Sequence, residues 1–145
     1  MIGTFFETAE DRAVNHAYEV LKGNTPDGLL PTTRQQAILR IIADKRGLKN
    51  AILVGRLAEL LKATPRQIKD DIRDLRLLFK VRIGSSRDAI DGGVYLITTK
   101  EEALDTARPF LRQASAELAV ARAILEPHEL AELEGQLRLE AAPNA

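Results

Sequence analysis

Three residues, Lys62, Ala63 and Thr64, separate two stretches whose apolar side chains recur at helical spacing, and that brevity constrains the fold more than any other feature of the chain. Before them, Val54, Leu57, Ala58 and Leu61 mark one face of a short helix. After them, Ile68, Ile72, Leu75 and Phe79 mark the buried stripe of a helix from Pro65 to about Lys80. Thr64 is a good N-cap, and Pro65 falls at the first helical position, where its missing N–H removes no hydrogen bond. So short a connection makes a tight helix-turn-helix.

The sequence on either side extends this unit. From Thr33 to Arg46, Ala37, Ile38, Ile41 and Ile42 predict an amphipathic helix ended by Gly47, and Asn50 offers an N-cap for the helix that carries Val54. After the third helix, Val81 and Ile83 alternate with Lys80 and Arg82 as in a short strand, and Val94 to Ile97 is a second run of β-formers. Between them lies the polar loop Gly84 to Gly93, so a two-stranded wing is expected. The fold class is therefore mainly α with a small β-wing: a winged helix-turn-helix over residues 32–99.

Two helical flanks complete the chain. Residues 1–31 read as a helix capped by Thr8 and running to about Lys22, with Ala9, Ala13, Ala17, Val20 and Leu21 on one face, followed by a turn-rich linker. Thr99 and Glu102 form a capping-box pattern that launches an arm over residues 100–139, ahead of a fraying tail at 140–145. In the arm Leu104, Leu111, Leu118 and Leu125 recur every seventh residue with Ala107, Ala114 and Ala121 between them. Such a seam suits a partner helix, either in a homodimer or on the chain's own first helix. Pro109 is expected to kink or end that helix.

Charge is distributed unevenly along a chain whose net charge is zero. Residues 32–100 hold fifteen Lys and Arg against seven Asp and Glu, a net +8, whereas residues 1–31 are −3 and residues 101–145 are −5. On the third helix the signs are sorted: Arg66, Lys69, Arg73, Arg76 and Lys80 lie on one side of the apolar stripe, and Gln67, Asp70, Asp71 and Asp74 on the other. Cations along one flank suit an anionic partner, with Arg66, Gln67 and Lys69 near the helix N-terminus, where major-groove readers touch base edges. Arg82, Ser85, Ser86 and Arg87 on the wing, and Arg34 and Lys62 near helix ends, are further candidates for phosphate contact.

The run from Thr64 to Arg76, together with Ile83-Gly-Ser-Ser and Gly92-Gly-Val-Tyr-Leu, resembles the winged helix-turn-helix of biotin-repressor-type and DeoR-type regulators, and especially small winged-helix proteins of phages and prophages. The resemblance covers roughly residues 33–98. Thr64, Arg66, Ile68, Asp71, Ile72, Leu75, Arg76, Gly93, Tyr95 and Leu96 occupy the places of its motif. It implies double-stranded DNA as partner and a role in transcriptional or phage-type regulation. Two departures stand out: Leu77-Leu78-Phe79 replaces the glycine that usually follows the recognition helix, and Val94 separates Gly93 from Tyr95.

Other chemistries find little purchase. The chain has no cysteine, and His16 and His128 stand apart from any grouping with metal-ligand spacing. No phosphate-loop or dinucleotide glycine motif occurs, so no enzyme, cofactor or metal is expected. The acidic start and the lack of a long uncharged apolar run predict a soluble cytoplasmic protein without membrane insertion. The rival expectation is a protein-interaction module docking on RNA polymerase, replication machinery or a nuclease, which an exposed Leu77 would serve.

Overall fold

The computed structural model of the chain describes residues 7–87 and 93–141, and the expected wing tip from Asp88 to Gly92 and the last four residues of the tail lie outside them. Among the described residues the chain is mainly helical, with one small two-stranded antiparallel sheet. In order, the elements are α1 (Ala9–Leu21), α2 (Thr33–Ala43), α3 (Val54–Leu61), α4 (Pro65–Leu77), β1 (Ile83–Ser86), β2 (Gly93–Leu96), α5 (Lys100–Ile124) and α6 (Pro127–Ala141). Two compact units result, Met1–Thr106 and Ala107–Ala145. The boundary falls inside α5, and α1 contributes Ala13, Val14, Ala17 and Val20 to the core of the first unit.

Reciprocal capping boxes start four of these helices, the expected Thr99 and Glu102 pair of α5 among them. Thr8 with Asp11, Thr32 with Gln35 and Thr64 with Gln67 each exchange side-chain and backbone hydrogen bonds, which satisfies donors that a helix N-terminus leaves open. The Thr8 amide and hydroxyl hold the Asp11 carboxyl below its ordinary value against the opposing effect of desolvation, with lesser help from Arg46 and Arg12.

Several boundaries differ from the sequence expectation. α4 ends at Leu77 and not at about Lys80, whose φ of 56° is left-handed. β1 runs Ile83–Ser86, so Gly84 to Ser86 are strand and not loop. α2 stops at Ala43 because the next residues turn to pair with β2: the Leu96 amide donates to the Lys45 carbonyl at 2.7 Å and the Gly47 amide to the Leu96 carbonyl at 2.9 Å. Asn50 does not cap α3. It ends a 3-10 turn over Leu48–Asn50, and its side chain donates to the Arg46 carbonyl at 2.8 Å, while α3 begins after Leu53 with no side-chain cap.

The same segment supplies a third edge to the sheet. β1 and β2 pair in register, Ile83 opposite Leu96 and Ser86 opposite Gly93, while Ile52 exchanges backbone hydrogen bonds with Val94 on the other side of β2 at 2.9 and 2.8 Å. β2 therefore lies between two neighbours, and all four of its residues are buried. That crowding explains Gly93. Its φ is +135°, and a Cβ there would lie 2.3 Å from the Ile52 carbonyl oxygen. Gly84 is fixed differently, since a Cβ would fall 2.4 Å from the Tyr95 ring.

Ile38, Leu39, Ile42, Leu57, Ile68, Leu75, Ile83 and Leu96 fill the centre of the first unit and are essentially inaccessible to water. Each such side chain contributes roughly 1.5–3 kcal/mol by leaving water. Glu102 then fastens the start of α5 to the sheet, accepting from the amides of Leu48 at 2.8 Å and Thr98 at 2.9 Å. Burial pushes its pKa up, but these amides, the Thr98 hydroxyl and the Thr99 amide outweigh that and hold it below the ordinary value.

α5 passes through Pro109 as one continuous helix, so the proline does not end it. Along the expected seam Leu104 and Leu111 are exposed, while Leu118 and Leu125 are half-buried. Among the described residues no helix is long and apolar enough to cross a membrane.

Candidate nucleic-acid interface

α4 carries its two charged flanks into different environments. On the acidic flank Asp71 is buried and forms an ion pair with Arg34 of α2. The neighbouring Gln35 donates from Nε2 to Asp71 at 3.4 Å and to Asp74 at 3.1 Å, while its Oε1 accepts from the Thr32 amide at 3.0 Å. The hydrogen bond to Asp71 also holds the Arg34 guanidinium above its ordinary pKa. Asp71 and Asp74 thus lock α4 to α2, while Asp70 is exposed. Arg34, expected as a phosphate contact, is partly exposed but engaged by a carboxylate.

The cationic flank makes no such lock. Arg66, Lys69 and Arg73 are exposed on successive turns, and none takes part in an ion pair among the described residues. Three unneutralised cations on one face raise the local potential and favour an anion. Lys62, at the left-handed C-cap of α3 with φ 53°, is also exposed and unpaired among the described residues.

Two residues expected beside them have structural work instead. Gln67 gives its Oε1 to the Thr64 amide at 2.9 Å, so a bidentate contact with adenine would have to share that oxygen with the helix cap. Arg76 is half-buried and reaches the hairpin, donating from Nε to the Ile83 carbonyl at 2.9 Å and from Nη2 to Ser85 Oγ at 3.3 Å. Burial lowers its pKa, with Tyr95 opposing. Arg76 and Ser85 therefore set the angle of the hairpin on α4. The Ser85 amide adds a bond to the buried Thr106 hydroxyl at 3.2 Å.

Ser86 is half-buried at the end of β1, and Arg87 is exposed just beyond it. Lys80 and Arg82 are exposed but separate from the row on α4. They line a cleft of about 280 Å3 with Ala9, Arg12, Ala13 and His16 of α1. His16 Nε2 donates to the Phe79 carbonyl at 2.7 Å, which joins the two walls. Sequence reading assigned no role to Arg12 or His16, because 63 residues separate His16 from its partner and no local pattern announces the contact. A larger cleft of about 560 Å3 between α3 and the hairpin is lined by Arg56 and Glu59, but these pair with each other at 3.3 Å.

Leu77 and Leu78, immediately after the cationic row, are 55 % and 59 % exposed. Among the described residues no three His, Cys, Asp or Glu side chains gather in a way that would hold a metal ion. Comparison of the chain with protein-family models, with curated proteins and with solved structures finds no match.

Proposed function

We propose that residues 1–106 form a winged-helix module that binds double-stranded DNA and acts, without catalysis, as a transcriptional or phage-type regulator in the cytoplasm. The observation that carries this reading is the row Arg66, Lys69 and Arg73, exposed and free of carboxylate ion pairs among the described residues, on the same helix whose Asp71 and Asp74 are engaged by Arg34 and Gln35. The order of elements supports it: two helices joined by three residues, then a hairpin whose inner strand is backed by the segment 45–52. In this reading the N-terminal turns of α4 enter the major groove, and Arg87 with the hairpin meets the backbone. Arg76 and Arg34 drop out of the contact set, and Gln67 shares its Oε1 with the helix cap.

With about four neutralised phosphates, affinity for random duplex DNA falls with salt at a log–log slope of roughly −4. The reversal Arg66→Glu with Arg73→Glu weakens the mobility shift by about 100-fold or more, since each change removes one favourable charge and adds a repulsive one. Absence of duplex binding by the parent protein at low salt refutes the reading.

A second reading rests on Leu77 and Leu78, whose exposure next to the cationic row suits a docking contact with a protein of the transcription, replication or nuclease machinery. Pull-down from lysate that survives the double reversal but fails in Leu77→Ser with Leu78→Ser favours it. In either case the exposed Leu111 and Ile124 of the arm, 66 % and 75 % accessible, suit pairing with a second copy. A monomer by light scattering removes that element.

A further inference from the structure

We propose that the cleft between α1 and residues 79–82 is an anion site that takes a phosphate group. The proposal needs neither α4 nor DNA binding. Arg12, His16, Lys80 and Arg82 line the cleft above a floor of Ala9 and Ala13, and no carboxylate lines it among the described residues.

The acids at the start of α1 are engaged elsewhere. Glu7 accepts from the Asn15 amide at 3.0 Å, Glu10 pairs with Arg46 at 3.4 Å, and Asp11 accepts from the Thr8 amide at 3.1 Å. Arg12 uses one N–H on the Glu7 carbonyl at 3.2 Å, while Lys80 and Arg82 make no ion pair among the described residues. Among the acids at the start of α1, only Asp11 acts by its charge on one of these cations, Arg12. Arg12, Lys80 and Arg82 thus line one small space with no ion-pair partner among the described residues. Their mutual repulsion is relieved most by an anion of multiple charge, and two guanidinium forks match the several oxygens of a phosphate.

The walls are held in place. A carbonyl oxygen only accepts, so the 2.7 Å contact fixes the proton on His16 Nε2 and turns Nδ1 outward from that bond. The volume, about 280 Å3, lies just below the range of about 300–1,000 Å3 found for drug-sized ligands, which suits a phosphate and a small attached group.

The test is a 15N–1H NMR titration of the full chain with sodium phosphate, ionic strength held constant with sodium chloride. Saturable shifts centred on His16, Lys80 and Arg82 are expected. Arg12→Gln with Arg82→Gln weakens the apparent affinity about five- to tenfold, with an unchanged circular dichroism spectrum. Lys80→Gln, at a single exposed position, gives the same direction of change should the double variant fail to fold.

Shifts no larger than those from chloride, or shifts that persist undiminished in the variants, overturn the site. Adding a short random duplex identifies the phosphate's source once the site is established. Displacement of inorganic phosphate assigns the cleft to the nucleic-acid backbone, and binding without displacement assigns it to a small phosphorylated molecule. A duplex that fails to bind refutes the DNA reading while the phosphate titration still stands.

Discussion

The two flanks of α4 look alike in sequence, each a row of charges beside the same apolar stripe, yet two acids of one are tied into α2 while three cations of the other face solvent without an ion pair among the described residues. Asp71 and Asp74 meet Arg34 and Gln35 of α2, whereas Arg66, Lys69 and Arg73 meet no carboxylate among the described residues. Sorting of charge on a helix therefore has two separate causes here. Asp71 and Asp74 are sorted by packing, which needs no external partner, whereas the exposed cations call for one.

The largest effect expected on either flank comes from the stripe between them. Ile68→Ala removes a fully buried side chain and lowers stability by about 2–5 kcal/mol, measurable by urea denaturation. A loss well below 1 kcal/mol would mean that α4 is not seated on the core as described. Asp71→Ala follows, at about 1–3 kcal/mol, because it removes a buried carboxylate, leaving Arg34 without its ion-pair partner and Gln35 with Asp74 as its remaining carboxylate acceptor. It leaves duplex affinity nearly unchanged or slightly increased. The reversal of Arg66 and Arg73 has the opposite profile, with thermal stability within about 0.5 kcal/mol of the parent and DNA binding lost. If Asp71→Ala and the double reversal had the same profile, the distinction between the flanks would fall.

The smallest effect lies at Glu102, a carboxylate with a purely architectural role. Its folded pKa is depressed below the ordinary 4.5, so its stabilising contribution is present above that pH and disappears as pH falls through the folded value. Glu102→Gln accordingly lowers stability by less than about 1 kcal/mol at neutral pH, given its partial exposure. The gap between parent and variant narrows as the pH drops below about 4.5. A gap that is constant from pH 7 to pH 3 would show that the amide bonds to Leu48 and Thr98 do not depend on charge.

The legibility of this molecule followed the range of its interactions. Thr64, Pro65 and Gln67 define a helix start within four residues, and the stripe Ile68, Ile72, Leu75 and Phe79 repeats at the helical period, so α4 and its buried face were readable. Lys45 to Ile52 were not. Their pairing with β2 couples residues more than forty apart, and the local pattern suggested a longer α2 and an Asn50 cap. The candidate interface split in the same way. Exposure of Arg66, Lys69 and Arg73 follows from their angle to the apolar stripe, but the engagement of Arg34 by Asp71, and of Arg76 by Ile83 and Ser85, depends on which elements pack side by side.

By itself, then, the sequence determined the helices, the three-residue connection between α3 and α4, the position of the hairpin and the concentration of positive charge in the middle of the chain. Caps, periodicity and turn residues act over a few positions, so their physics is complete in a short stretch. Only the tertiary structure decided which cations stay free. It engaged Arg34 with Asp71 and Arg76 with the hairpin, and it brought Arg12 and His16 to the same cleft as Lys80 and Arg82. A charge is neutralised by its nearest neighbours in space, and those neighbours exist only once the chain has folded.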